Sequence, residues 1–307
     1  MGSKLVAGIT GAGGFIGGYL RDALDAHVSV RPHYRKNPHH SDSRAHIGDL
    51  KDQQKTWEFL TGLDTLIHLA NSNFPRDSKT RFSEDIQSNL ITTIQLFEAF
   101  AELNPNGHII FFSSGGTVYD ATLPPAPRSE LDRVRPTSSY GIQKLAAEQF
   151  LEAICKRTGV RGTVFRLSNP YGIPLDLNRA QGIIGVAISC LITQRPLTIF
   201  GSMEAVRDYI HLDDVSSAVL KAIQSPPPCG NCRVLNLGTG EGVQTSVLLK
   251  EIQDVAGTVL KVIHGEVDLR EVPWNVLDIS KTRGELGWEP RVSLGEGLKR
   301  TYLLAHK

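Results

Sequence analysis

The sequence predicts an α/β fold: a doubly wound parallel sheet followed by a smaller C-terminal lobe. Three observations carry that prediction. Short apolar runs alternate with longer helical patterns through the first half of the chain, the signature of βαβ units. Runs such as Ile109-Ile110-Phe111-Phe112 are apolar without alternation, as in strands covered by helices on both faces. Each run is followed at once by small or polar residues, and in an open parallel sheet those carboxyl ends line the ligand crevice.

The first strand is read at Leu5–Ile9. It runs into Thr10-Gly11-Ala12-Gly13-Gly14-Phe15-Ile16-Gly17, which opens a helix. The glycines allow a tight turn and let the backbone of Gly11, Gly13, Gly14, Phe15, Ile16 and Gly17 approach a pyrophosphate, the candidate dinucleotide site of a Rossmann domain. The second strand is read at His27–Val30 and is followed by Arg31. An acidic residue about twenty positions past the glycines bonds the ribose 2′-hydroxyl of NAD, whereas a basic one accommodates the 2′-phosphate of NADP. With Arg31 there and His33, Arg35 and Lys36 following, the choice between NAD and NADP stays open.

The third strand, Ala45–Ile47, leads into Gly48-Asp49-Leu50, where Asp49 is read either as an acceptor for an adenine amino group or as a helix N-cap. The fourth strand, Thr65–His68, ends on Leu69-Ala70-Asn71, the fifth, His108–Phe112, on Ser113-Ser114, and the sixth, Thr163–Leu167, on Ser168-Asn169. Leu50, Leu69, Ala70, Asn71 and Ser113 are taken as further neighbours of the cofactor. After the fifth strand, Ser138-Ser139-Tyr140-Gly141-Ile142-Gln143-Lys144 starts a helix and sets Tyr140 and Lys144 one turn apart on one face. A phenol with a pKa of about 10 is a poor base at neutral pH. A fixed cation beside it favours the phenolate, and a positively charged nicotinamide adds to the effect.

Beyond Asn169 the pattern loosens. We read a helix at Gly185–Thr193, a strand at Leu197–Phe200, a helix from Asp213, a βα unit at Val234–Leu237 and Thr245–Val255, and helices near Ile279–Leu286 and Leu294–Leu304. Residues 1–168 are expected to form the dinucleotide domain, with about 208–238 returning to it; 169–207 and 239–307 form the substrate-binding lobe.

Lys and Arg total 33 against 32 Asp and Glu, so no sequence-wide field draws in nucleic acid or an anionic membrane. The longest apolar stretch, Gly182–Ile192, is too short to span a bilayer, and no signal peptide is seen, so a cytoplasmic protein is expected. Four cysteines are too few for a disulfide scaffold in a chain of 307 residues. Cys229-Gly-Asn-Cys232 has no second pair and no nearby histidine, so it reads as a surface loop, and no metal is expected.

Taken together, Gly11–Gly17, His68-Leu69-Ala70, Asn89, Ser113-Ser114-Gly115-Gly116-Thr117-Val118-Tyr119, Tyr140 with Lys144, Asn169-Pro170-Tyr171-Gly172 and Arg207-Asp208-Tyr209-Ile210-His211 carry a resemblance. The chain resembles the extended short-chain dehydrogenase/reductases of the NAD-dependent epimerase/dehydratase type, and within them the UDP-glucose 4-epimerase-like proteins, nearly end to end. That resemblance implies Tyr140 as the base, Lys144 as the group holding it and the nicotinamide ribose, and Asn89 as support for the active-site helix. It further implies Leu197–Phe200, with Phe200, beside the uracil, Arg207 on a phosphate of the nucleotide diphosphate, and Asn169 on the substrate.

Two departures stand out. The family's hydroxyl three positions before Val118 is replaced by Gly115, which leaves Ser114, the favoured candidate, and Thr117 to share the sugar proton. Near Glu271-Val272-Pro273 the family's diphosphate-holding arginine is replaced by Asp268, with Arg270 as the available substitute. The expected activity is 4-epimerisation of a nucleotide-diphosphate sugar through a transient 4-keto intermediate with bound NAD. Its rivals are an NADPH-dependent reductase of a nucleotide-linked 4-keto sugar and a non-catalytic dinucleotide-sensing regulator. Relatives pair through two long helices, here Ile86–Leu103 and Tyr140–Cys155, so a homodimer is expected.

Overall fold

The computed structural model describes residues 4–38, 42–72, 81–173, 182–265 and 272–306. In chain order the first elements are β1 (Val6–Thr10), α1 (Phe15–Leu24), β2 (Ser29–Tyr34), β3 (His46–Ile47), α2 (Gln53–Leu60), β4 (Thr65–His68) and α3 (Phe82–Ile86). A π-helical turn (Gln87–Ile91) leads into α4 (Thr92–Leu103), β5 (His108–Ser114), α5 (Ser139–Thr158) and β6 (Arg161–Leu167). Then come β7 (Asn169–Tyr171), α6 (Ile183–Ile192), β8 (Leu197–Ile199), β9 (Val206–Arg207), β10 (Tyr209–His211) and α7 (Leu212–Gln224). The last are β11 (Cys232–Leu237), β12 (Val243–Gln244), α8 (Thr245–Ala256), β13 (Val262–His264), β14 (Trp274–Asn275), α9 (Ser280–Leu286) and α10 (Leu294–Ala305).

Among the described residues the apolar runs of the first half, joined by β6 and β11, assemble one seven-stranded sheet, ordered β11-β6-β5-β4-β1-β2-β3. The pairs β1–β2, β1–β4, β2–β3 and β4–β5 all run parallel. Chain order reverses between β1 and β4, the topological switch point at which such sheets bind ligands. The doubly wound α/β reading therefore holds.

Two compact units divide the chain. One comprises Met1–Tyr119, Val134–Arg166 and Ser216–Leu235; the other comprises Asp120–Arg133, Leu167–Val215 and Asn236–Lys307. In the first, Phe97, Phe100, Phe111 and Leu151 are fully buried, with Phe97 and Phe111 edge to face at 5.5 Å. In the second, Ile184, Ile188, Leu248, Ile252 and Leu298 form the core beside short ladders such as β7–β10 and β12–β9–β14.

Two element boundaries differ from the sequence expectation for identifiable reasons. Strand β2 does not end before Arg31 but continues to Tyr34. Pro32 hides this in the sequence. Its missing N–H is tolerated because it shares a ladder side with Tyr34, whose carbonyl accepts from Gly48, while β3 begins only opposite His33. The single helix expected over Ile86–Leu103 is interrupted by the π-turn, where Thr92 Oγ1 donates to the Gln87 carbonyl at 3.2 Å.

The first unit buries three histidines. Burial pushes His33 down to about 4 and His68 and His108 each down to about 3. His68 bonds Thr10 Oγ1 at 2.7 Å and Thr93 Oγ1 at 2.9 Å, and His108 bonds Thr163 Oγ1 at 2.8 Å. Because the folded values are depressed, these groups contribute stability that is present above the unfolded pKa of about 6.5 and is lost as pH falls toward the folded values. Urea denaturation should therefore show stability falling between pH 6 and 5 by about 1.4 kcal/mol per pH unit for each of the three. A plateau over that interval would contradict their burial as neutral rings.

Candidate active site

Thr10 closes β1 and places its hydroxyl at the centre of the switch point. Its Oγ1 accepts from the N–H groups of Leu69 and Ala70 at 3.2 and 3.3 Å, which ties the chain after β4 to the start of the glycine turn. Gly11 then turns with a φ of +73°, and a Cβ there would lie 2.9 Å from the Ala70 nitrogen. Gly17 is stricter still, since its Cβ would sit 2.2 Å from the Gly11 carbonyl oxygen. Helix α1 starts after Gly14 with no side-chain cap, while Gly13 and Gly14 are exposed. Bare backbone at an uncapped helix N-terminus, with Phe15 and Ile16 half-buried behind it, suits a dinucleotide pyrophosphate. The cradle fits NAD.

The neighbouring positions divide. Asp49 is exposed and its carboxylate accepts the Lys51 N–H at 3.0 Å, while the N-cap of α2 is Asp52, so the cap alternative for Asp49 is corrected. Leu50 packs at the margin of the core and Asn71 is half-buried at the end of β4. Arg31 requires a correction. It lies inside β2, and its guanidinium donates to the carbonyls of Phe59 and Thr61 at 2.8 and 2.7 Å, at the C-terminal end of α2. The end of the strand is occupied instead by Tyr34, with its ring 3.4 Å from where a Gly13 Cβ would be, followed by the exposed Arg35 and Lys36.

Helix α5 begins at Ser139 because Ser138 caps it, its hydroxyl accepting from Gly141 at 3.1 Å. Gly141 lets the helix start settle on the turn after β5, since a Cβ there would meet the Thr117 carbonyl oxygen at 2.6 Å. Tyr140, Lys144, Ser114 and Thr117 are thereby brought into one neighbourhood. Lys144 is buried, donates from Nζ to the Phe112 carbonyl at 2.9 Å, and lies 4.8 Å from the Phe111 ring centroid and 5.6 Å from that of Tyr140. Burial lowers Lys144 to about 8, against the opposing pull of Glu148, and raises Tyr140 to about 12. Desolvation alone sets the direction for the phenol, and the expected phenolate is not formed by that pair unaided.

The hydroxyls after β5 have separate fates. Ser113 is buried and donates to Glu148, so its side chain is directed into the protein. Ser114 is half-buried, and the Thr117 Oγ1 is buried without a hydrogen-bond partner. Asn89, on the π-turn, donates to Asp85 Oδ1 at 2.7 Å and accepts from the N–H and hydroxyl of Ser72 at 2.8 and 2.9 Å.

The remaining candidates belong to the second unit. Asn169 opens β7 and donates from Nδ2 to the Asp208 carbonyl at 2.9 Å. Arg207 ends β9 and donates to the Val206 carbonyl at 2.9 Å. Phe200 follows β8 and lies over Gly265, whose Cβ would meet the ring at 2.6 Å. Arg270 lies outside the described residues.

Several residues of the site went unread in the sequence. Glu148 forms a buried pair with Arg166, Oε2 to Nη2 at 2.8 Å, and Arg166 stacks 5.0 Å from the Tyr119 ring. The helical row Tyr140, Lys144, Glu148 pointed to it, since residues four apart share a face. Asp85, Gln143 and Ser72 had no comparable signal.

The glycine turn at the switch point and the Tyr140–Lys144 pair define a dinucleotide-dependent α/β enzyme. The chain belongs to the NAD dependent epimerase/dehydratase family, whose model matches residues 7–238. It is 30% identical over 310 residues to the UDP-glucose 4-epimerase of Mycolicibacterium smegmatis, covering 95% of this chain and 96% of that protein. It is 33% identical over 240 residues to the dTDP-4-dehydro-6-deoxyglucose reductase of Escherichia coli, covering 78% of this chain and 73% of the relative. Among solved structures, the UDP-glucose 4-epimerase of Thermotoga maritima with UDP-glucose superposes with a TM-score of 0.90 at 28% identity, over 98% of this chain and 99% of that one. Among the described residues no group of side chains is arranged to hold a metal, and no helix is long and apolar enough to cross a membrane.

Gly17→Ala forces its methyl onto backbone that cannot retreat without opening the turn. We expect calorimetry to show NAD affinity reduced at least about tenfold with a lowered Tm. Wild-type affinity would mean that this turn does not hold the cofactor.

Proposed function

We propose that the protein is a nucleotide-sugar 4-epimerase of the UDP-glucose/UDP-galactose type working with bound NAD. The observation that carries this reading is the half-buried Tyr140 paired with the buried Lys144 beside the hydroxyl-bearing turn after β5, in the same unit as the glycine cradle. The likeness to UDP-glucose 4-epimerases over nearly the whole chain supports it.

Gly11, Gly13, Gly14, Phe15, Ile16 and Gly17 hold the pyrophosphate, and Asp49, Leu50, Leu69, Ala70 and Asn71 border the rest of the dinucleotide. NAD supplies the acceptor, and then the donor, for the hydride of the sugar C4. Tyr140 takes the proton of the C4 hydroxyl and later returns one, with Lys144 as the fixed cation beside it. Ser114 or Thr117 shares that proton; the buried, unpartnered Oγ1 of Thr117 gives it a claim equal to that of Ser114. With NAD bound, the C4 alcohol would pass through a 4-keto sugar and be restored on the opposite face, so that no external oxidant would be consumed. The second unit is the substrate lobe, with Asn169, Phe200 and Arg207 as its groups for the nucleotide sugar.

A second reading, reduction of a nucleotide-linked 4-keto sugar by NADPH, is favoured by one observation. The end of β2 carries Arg35 and Lys36, cations suited to a 2′-phosphate, and the Escherichia coli relative is a reductase. A cytoplasmic homodimer completes the proposal. Ile142 and Phe150 on α5 and Phe82 and Ile86 on α3 are exposed apolar side chains that a second copy would cover.

The test is stoichiometry. Purified protein should interconvert UDP-glucose and UDP-galactose with no net change at the nicotinamide absorbance band, and Tyr140→Phe should lower kcat about a thousandfold. Steady consumption of NADPH with a 4-keto sugar, and no interconversion, would replace the epimerase by the reductase.

A further inference from the structure

Asp85 is a buried carboxylate on α3 whose partners converge on the first turn of α5. Its Oδ2 accepts from Ser139 Oγ at 2.8 Å and from Gln143 Nε2 at 2.7 Å, and its Oδ1 accepts from Asn89 Nδ2 at 2.7 Å. Gln143 Nε2 also donates to Ser139 Oγ at 2.9 Å, so the two α5 side chains are locked to each other as well as to the carboxylate. Asn89 continues the chain of bonds to Ser72, beyond the end of β4.

Ser139 and Gln143 are four residues apart and form one row on α5. Tyr140 and Lys144 form the adjacent row, one residue further round the helix. A carboxylate gripping the first row therefore fixes the rotation and axial position of the second. Three side-chain hydrogen bonds of 2.7–2.8 Å make up the hold. Asn89 lies on the π-turn and bonds both Asp85 and Ser72.

We infer that Asp85 is a positioning residue for Tyr140, acting through Ser139, Gln143 and Asn89 to hold the phenol at the reacting hydroxyl of the sugar. This rests on the reading of Tyr140 as the proton-transferring group. Asp85 itself does not touch substrate. Misplacement of a reacting group by about 1 Å is worth about a hundredfold in rate, so the expected signature is a loss in kcat with little change in substrate binding.

The experiment compares wild type, Asp85→Asn, Gln143→Met, Ser139→Ala and Tyr140→Phe, with UDP-galactose as substrate and with amide hydrogen exchange over residues 139–144. Asp85→Asn should lower kcat about ten- to a hundredfold, leave KM within about twofold, and speed exchange in the first turn of α5 about tenfold. Gln143→Met added to Asp85→Asn should cost little more, because both act through one grip. Wild-type kcat in Asp85→Asn, or a fall explained wholly by a raised KM, overturns the proposal. Should Asp85→Asn fail to fold, Ser139→Ala and Gln143→Met decide on the same kcat and KM criteria. If UDP-galactose is not turned over, unchanged exchange across 139–144 overturns it and faster exchange upholds the grip. Tyr140→Phe separates the two claims: full activity there removes the reading of Tyr140 itself, whereas an inactive Tyr140→Phe beside a fully active Asp85→Asn removes only the role of Asp85.

Discussion

The site depends on the desolvation of two neighbouring ionisable groups, the half-buried Tyr140 and the buried Lys144. Tyr140 and Lys144 are each pushed toward the neutral form, the phenol up to about 12 and the ammonium down to about 8. Desolvation lowers the ammonium and the charge of Glu148 opposes that fall, while the Phe112 carbonyl accepts from Nζ and the Phe111 ring centroid lies 4.8 Å away. Glu148 is itself held by Arg166 and Ser113. Replacing either member of the Glu148–Arg166 pair alone leaves a buried charge uncompensated, which costs far more than the intact pair contributes.

From this follows the division of labour in the protein. The sheet supplies a platform, the switch point supplies the glycine turn, and α5 supplies the row of Tyr140 and Lys144 to which we assign proton transfer. On the proposed mechanism, a desolvated phenol that stays protonated without NAD becomes a base only when a further positive charge lies beside it. Electrostatics then favour the phenolate only in the loaded site, where proton abstraction is useful.

Much of this was legible in the residues. Apolar runs without alternation identified the strands of the sheet, and glycines at 11, 14 and 17 identified a turn that the packing now explains through the Gly11 and Gly17 Cβ positions. Tyr140 and Lys144 were legible because helical spacing is a local property. What stayed hidden was non-local. Pro32 makes β2 look shorter than it is, and the position about twenty residues past the glycines falls on Arg31, whose guanidinium holds the end of α2. Asp85 and Gln143 are 58 residues apart, and no periodicity links them. The sign of the Tyr140 shift was also hidden, because desolvation depends on what packs around a ring and not on which cation is four residues away.

The most direct test is a spectroscopic titration of Tyr140, taken as the ultraviolet difference between wild type and Tyr140→Phe in NAD-free protein and again with NAD bound. We expect no tyrosinate from this residue below pH 10 without NAD, consistent with a value raised to about 12, and ionisation several units lower once NAD is present. A phenol that ionises near neutral pH in the NAD-free protein, or one that NAD leaves unmoved, would contradict the account.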